Sequence, residues 1–309
     1  MSGKIAFCFP GQGSLEVGMG REIAYAVPEA MDVYRRASEA SGLDLARLCF
    51  EAPEEELVQT DVQQPALVAT SLAVLAALKA EGYKPDFVVG HSVGEFAALA
   101  AAGALKMEDA IALVRERGLA MAEAARDNPG SMAAILGLAD EVVEKLCAQI
   151  SRVWPANYNC PGQIVVSGEN PAVEECCTEA ELQGARRTVK LRVSGAFHSP
   201  LIAHAAERLR PAVEKARFSQ PIAPFMSTVT AKIEPAQRFA ALLVEQLTAP
   251  VKFTQAAREL MRQGVKVFVE VGPGNVLTGL LKRIDRGVKA IPVGDVASLE
   301  KLKETLEAA

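Results

Sequence analysis

A G-x-S-x-G pentapeptide, Gly90-His91-Ser92-Val93-Gly94, lies between two runs of opposite character. Phe87, Val88 and Val89 read as the end of a short buried strand, and the alanine-rich residues 96–102 read as a helix. A strand, a sharp turn and a helix are the frame of a nucleophile elbow. Glycine at 90 and 94 removes side chains where strand and helix must approach, which forces Ser92 into a tight turn at a helix N-terminus. Free backbone N–H groups and the helix dipole favour developing negative charge there. The competing reading is a glycine-bounded turn with an incidental serine.

The rest of the chain supplies the sheet that such an elbow needs. Strands are expected at 5–9, 87–89, 221–226, 228–233, 265–271 and 290–293. Helices are expected at 29–41, 66–81, 107–126, 201–217, 238–247, 251–263 and 276–283. Such alternation gives an α/β fold with a mainly parallel sheet. Asn128-Pro129-Gly130 breaks the pattern. Strand 132–138, helix 141–150, strands 152–157 and 163–167, helix 171–183 and strand 187–193 follow, with 159–162 as a loop. That β-α-β-β-α-β order is the split unit of ferredoxin-like domains. It is read as a small α+β domain, 129–195, inserted into a large domain made of 1–128 and 196–309.

Bulk properties exclude several classes. The chain has 309 residues, half of them hydrophobic, enough for a sizeable core. A net charge of −5 argues against broad nucleic-acid binding. Residues 1–4 run directly into 5–9, too short for the apolar part of a secretory leader. The apolar run 67–80 is broken by Thr70, Ser71 and Lys79 and reads as too short to span a bilayer, so no membrane is expected. Six cysteines show no C-x-x-C pair and no His/Cys spacing for zinc, so no metal is expected. Reduced thiols in a cytoplasmic protein are the expectation.

A nucleophilic serine needs a general base within hydrogen-bond reach. The imidazoles available are His91, His198 and His204. His91 adjoins the nucleophile, so its side chain should point elsewhere, and His204 lies in a charged helical stretch. His198 sits in the loop 194–200 at a domain junction, before a proline-started helix, and is the candidate base. No Asp between Ser92 and His198 occupies a comparably marked loop, which leaves a backbone carbonyl or an amide to orient the imidazole. Arg117 falls on the apolar stripe Ala110, Val114, Met121 of its helix, with Gly118 beside it. A buried guanidinium needs an anionic partner, either an internal carboxylate or a substrate. The loop Pro10-Gly11-Gln12-Gly13-Ser14 reads, by itself, as an ordinary turn.

Taken together these pieces resemble the malonyl-CoA:acyl carrier protein transacylase family of bacterial fatty-acid synthesis. The motifs matched in order are Phe9 to Ser14 (FPGQGS), Gly90 to Glu95 (GHSVGE), Gly195 to Pro200 (GAFHSP) and Glu270 to Gly274 (EVGPG). Arg117-Gly118 falls at the family's arginine, and Asn157 to Gln163 matches an N-x-N-x-P-G-Q loop. The resemblance implies an α/β-hydrolase-like large domain with an inserted ferredoxin-like small domain. It implies that Ser92 attacks a malonyl thioester, that His198 takes the proton, and that the N–H groups of Gln12 and Val93 form the oxyanion hole. It gives Arg117 to the malonyl carboxylate, and Phe197, Asn159 and Lys252 to the substrate pocket. Phe197 before His198 resembles the malonyl-selective pattern, since a bulky ring crowds an α-methyl group.

The implied partners are malonyl-CoA and acyl carrier protein, with a monomeric enzyme and no cofactor. Carrier proteins of this type are acidic, which directs attention to two basic clusters: Arg186, Arg187, Lys190, Arg192, and Lys282, Arg283, Arg286. Lys252 departs from the Gln or Arg frequent in the family, and a lysine cannot accept a hydrogen bond through its side chain. Leu15 and His204 are further departures, with little expected effect. The alternatives are a stand-alone acyltransferase of a polyketide pathway, a serine hydrolase or thioesterase, and a non-catalytic carrier-binding module.

Overall fold

The computed structural model describes residues 3–307. Its strands are β1 (Lys4–Phe9), β2 (Phe87–Gly90), β3 (Ser131–Leu136), β4 (Val153–Cys160) and β5 (Gln163–Gly168). They continue with β6 (Arg187–Lys190), β7 (Phe225–Ser227), β8 (Lys232–Ile233), β9 (Val265–Val271) and β10 (Lys289–Val293). One sheet has the order β10-β9-β1-β2-β7-β8 and is parallel except for the β7–β8 hairpin. The other has the order β4-β5-β3-β6 and is antiparallel. The fold is α/β, with a parallel-dominated sheet and a separate α+β unit.

The parallel sheet forms because its central strands are apolar on both faces. Phe7 and Phe9 of β1 pack with the helices Pro28–Ser41, Thr60–Ala80 and Met107–Asp127. Ala6 and Cys8 of the same strand face Phe253, Leu260 and Leu281 on the other side. In the antiparallel sheet the alternation separates two environments. Ala133 and Ile135 of β3 point to its own helices, Asp140–Gln149 and Asn170–Leu182. Met132 and Ala134 point the other way, into a cavity shared with the large sheet.

Several elements differ from the sequence expectation, each for a local reason. The helix expected at 66–81 is Thr60–Ala80, with Pro65 inside it. Pro65 has no N–H to give the carbonyl of Asp61. Arg115 Nη1 donates to that oxygen at 2.6 Å and to Asp61 Oδ2 at 2.7 Å, which lets the helix start a turn and a half earlier. At 21 residues it is long and apolar enough to cross a membrane by length and composition, but 83% of its apolar window is buried inside this fold. Strand 221–226 shrinks to β7 because Pro221 and Pro224 cannot donate to a ladder. Strand 228–233 shrinks to β8 because its first residues form the hairpin turn, with Ala231 N–H on Ser227 O at 2.9 Å.

The helix expected from Val251 starts at Phe253. Val251 instead pairs with β4, exchanging hydrogen bonds of 2.8 Å with Ala156 and Tyr158. The ladder between β4 and β5 runs on to Cys160 opposite Gln163, so Asn159 lies in a strand rather than at a loop. Strand 187–193 keeps its ladder only through Lys190. The helices Arg21–Ala26, Leu45–Phe50 and Val296–Glu307 were not expected from the sequence. Asp44 and Asp295 accept N–H groups at the starts of the last two.

Candidate active site

Parallel strands deliver their loops to one edge, so the carboxyl ends of β1, β2 and β9 converge. β2 leads into the elbow. A Cβ on Gly90 would lie 2.1 Å from the Glu95 nitrogen, and one on Gly94 would lie 2.2 Å from the Phe9 carbonyl oxygen. No side chain fits at either place. Ser92 consequently adopts φ 53°, a left-handed conformation that projects Oγ from the turn ahead of the helix Gly94–Ala101. β1 leads into the loop that carries Gln12. β9 carries Glu270 one residue before its end, and the buried carboxylate accepts the N–H groups of Leu277 and Thr278 at 2.9 and 2.7 Å. It thereby anchors the helix Val276–Ile284, whose Leu277 and Leu280 line the cavity.

That cavity has a volume of about 480 Å³. Ser92 and His198 lie at it, with Gln12, Gln63, Asn159 and Phe197 among the other lining residues. His198 also has a positive φ, 59°, and is 5% exposed. Its Nε2 stands 2.8 Å from Ser92 Oγ. Its Nδ1 stands 2.7 Å from the Gln246 carbonyl and 3.1 Å from the Ala249 carbonyl. Carbonyls only accept, so the Nδ1 proton is fixed and Nε2 keeps its lone pair for the Ser92 hydroxyl. Burial, reinforced by the charge of Arg117, pushes the imidazole down to about 3, so it is neutral near pH 7. Among the described residues no carboxylate orients this histidine.

Arg117 is fully buried. Gly118 makes its approach possible: a Cβ there would lie 2.7 Å from Asp61 Cα at the start of the neighbouring helix. No carboxylate lies within ion-pair distance of Arg117 among the described residues, so of the two partners the sequence allows, an internal Asp or Glu is not the one found. Nη1 donates to Gln64 Oε1 at 2.6 Å, and Nη2 donates to Gln246 Oε1 at 2.9 Å and Ser92 Oγ at 3.1 Å. Its Nε–H has no acceptor among the described residues. Burial pushes the guanidinium down to about 9, and the charge of Glu95 works against that shift.

Val93 is buried directly after Ser92, at the N-cap of the helix. The Gln12 side chain donates to Gln63 Oε1 at 2.7 Å, and Gln63 returns a bond of 3.3 Å to the Gln12 carbonyl. Those two bonds hold the loop to which the resemblance gives one side of the oxyanion hole. Asn159 Oδ1 stands 2.9 Å from His91 Nε2, which turns His91 away from the nucleophile. Lys252 does not line the cavity; it caps the helix Phe253–Arg262, and its N–H binds Thr228 O at 2.7 Å. His204 is exposed. Of the basic residues, Arg192 lines the cavity and Arg283 holds Gln163, another lining residue, at 2.8 Å.

Sequence reasoning passed over four polar residues: Gln63, Gln64, Glu95 and Gln246. The signal for the first two was present, as adjacent amides inside an otherwise apolar helix. Gln246 follows Glu245 at the end of an amphipathic helix and reads as solvated, yet it is 2% exposed.

Comparison with known proteins bears on this geometry. Residues 6–306 match the model of the acyl transferase domain family. The chain is 43% identical to the malonyl CoA-acyl carrier protein transacylase of Bacillus subtilis, over 98% of each chain. It is similar to the crystal structure of malonyl-CoA:acyl carrier protein transacylase from Xanthomonas oryzae, with a TM-score of 0.95, 39% identity and 99% coverage of both chains. It is as similar, with a TM-score of 0.95 and 39% identity, to a malonyl-transacylase solved in complex with a type II PKS acyl-carrier protein; there it covers 98% of this chain and 99% of that one.

Proposed function

The chain belongs to the acyl transferase family, among the malonyl CoA-acyl carrier protein transacylases, and we propose that it moves a malonyl group from malonyl-CoA to the pantetheine thiol of acyl carrier protein through Ser92. One observation carries this reading: Ser92 Oγ stands 2.8 Å from an imidazole lone pair and 3.1 Å from a buried guanidinium. A nucleophile, a base and a cation for a carboxylate thus meet at one point. We take 129–195 as the inserted small domain and the rest as the catalytic one, a division supported by an antiparallel sheet that lies wholly between Ser131 and Lys190.

The reaction follows from proton positions. Ser92 Oγ gives its proton to His198 Nε2 as it attacks the thioester carbonyl. The oxyanion faces the N–H groups of Gln12 and Val93, each such donor being worth about 3–4 kcal/mol of barrier. The tetrahedral species collapses, the C–S bond breaks, and His198 returns the proton to the departing CoA sulfur. The carrier thiol then attacks the malonyl-serine, giving its proton to His198, which restores it to Ser92. Proton transfers aside, every bond made or broken joins the acyl carbonyl to serine oxygen or thiol sulfur, so the steps balance without a cofactor. A thioester is already activated, which suits a histidine steadied by carbonyls rather than by a carboxylate.

Arg117 receives the malonyl carboxylate. An acetyl group leaves that buried charge unpaired, the arrangement that discriminates most strongly between otherwise similar substrates. A cytoplasmic setting is supported by six cysteines that are all free. Initial rates with both substrates varied test the scheme: parallel double-reciprocal lines and malonyl on the carrier are expected, whereas release of free malonate would indicate a hydrolase. The likeness to a polyketide-type transacylase keeps a second carrier in view, and competition between fatty-acid and polyketide carriers decides it.

A further inference from the structure

Glu95 is a buried charged residue beside the nucleophile that the mechanism leaves unused. It is fully buried, three residues after the nucleophile, on the first turn of the helix Gly94–Ala101. Its Oε1 accepts from the N–H and the hydroxyl of Thr228, at 2.7 and 2.9 Å, and from Ser227 Oγ at 3.4 Å. Its Oε2 accepts from Gln246 Nε2 at 2.8 Å. The Thr228 N–H can only donate, which favours the carboxylate over the acid. Burial pushes Glu95 up to about 7, while those hydrogen bonds and the charge of Arg117 oppose the shift.

Gln246 joins this carboxylate to both arms of the site. Its carbonyl holds His198 Nδ1, its Oε1 holds Arg117 Nη2, and its Nε2 is held by Glu95. The amide has two ends of opposite kind. Were it flipped, its N–H groups would face a guanidinium that also only donates, and its oxygen would face a carboxylate. Glu95 therefore settles which end Arg117 meets.

We propose that Glu95 is a positioning residue which, through the side-chain amide of Gln246, holds Arg117 oriented for the acyl carboxylate and so sets the preference for a carboxylate-bearing acyl group. This rests on the reading of Arg117 given above. Glu95 works by relay: it touches Arg117 only through the amide, and its negative charge supports the guanidinium charge where both groups are buried. A brace of the fold would affect every substrate alike. A support for Arg117 affects those that use Arg117.

The test is single-turnover loading of malonyl-CoA and acetyl-CoA on wild type, E95Q, R117A and the E95Q/R117A double variant, with thermal midpoints measured alongside. E95Q is expected to slow malonyl loading by about tenfold or more, the size of a lost hydrogen bond to charge, while acetyl loading changes by less than about threefold. In the R117A background, E95Q should leave the malonyl-to-acetyl ratio unchanged, because the relay then ends on nothing. E95D, which keeps the charge, should recover part of the ratio. Should E95Q not fold, Q246L removes the relay while keeping the carbonyl on His198, and should show the same selective loss. Equal falls for both acyl groups in whichever variant folds, or the same change of ratio with and without Arg117, would overturn the proposal. Were R117A itself to leave the ratio untouched, the reading of Arg117 would fail instead, which is a distinguishable result.

Discussion

The two arms of the site are held by different kinds of group. His198 is fixed by main-chain carbonyls of Gln246 and Ala249. Arg117 is fixed by side-chain amides of Gln64 and Gln246, with Glu95 behind the second. A carbonyl belongs to the backbone and survives substitution of its residue. An amide side chain does not. On the proposed roles, the arm assigned to acyl transfer is thus built into the fold, while the arm assigned to choosing the acyl group depends on replaceable side chains. If those roles hold, selectivity should change here with the chemistry left standing.

Arg117→Ala should break the comparison most plainly. Loss of a buried charge partner lowers malonyl loading by about a hundredfold, with acetyl loading not reduced, as read by single-turnover acylation. A parallel fall for both acyl groups would mean that the arms are not separable.

The His198 arm is sharpened by pH. Its imidazole is lowered by burial first and by Arg117 second, with His91 adding a smaller effect of the same sign. A base with a lowered pKa stays unprotonated, and therefore active, as the pH falls below the ordinary histidine value of about 6.5. Inactivation by a neutral serine-directed sulfonyl fluoride, which does not engage Arg117, should keep more than about half its plateau rate at pH 5. An acid limb at or above about 6.5 would place His198 in an ordinary solvated environment.

The smallest effect is expected at Arg115, which holds the turn that brings Gln64 to Arg117. Arg115→Ala leaves the Asp61 carbonyl without its donor and should lower stability by about 1–2 kcal/mol, seen in denaturant melts. Malonyl loading should fall by less than about threefold. A larger fall would tie the Gln64 turn more closely to selectivity than the comparison allows.

The same contrast explains what was legible in the sequence. The elbow at Ser92, the loop of His198 and the apolar stripe around Arg117 carry local signatures, because glycines, prolines and helical spacing act over a few residues. The β-α-β-β-α-β order was equally local. The second layer was not. Glu95 and Gln246 are 151 residues apart, and only the folded packing of their helices brings them to 2.8 Å. The helix at Thr60–Ala80 was misplaced for a related reason, since the group that tolerates Pro65 belongs to another helix. Val251 reads as helical by its spacing, but its backbone is claimed by β4. Pairing across distant elements leaves no trace in a local pattern.

The central claim is that Ser92 carries the acyl group between two thiols. Intact mass of the protein after mixing with malonyl-CoA, beside Ser92→Ala, tests it directly. The account predicts one malonyl adduct on the wild type, none on Ser92→Ala, and loss of the adduct to holo acyl carrier protein. An adduct that persists in Ser92→Ala, or the absence of any adduct while free malonate and CoA accumulate, would contradict it.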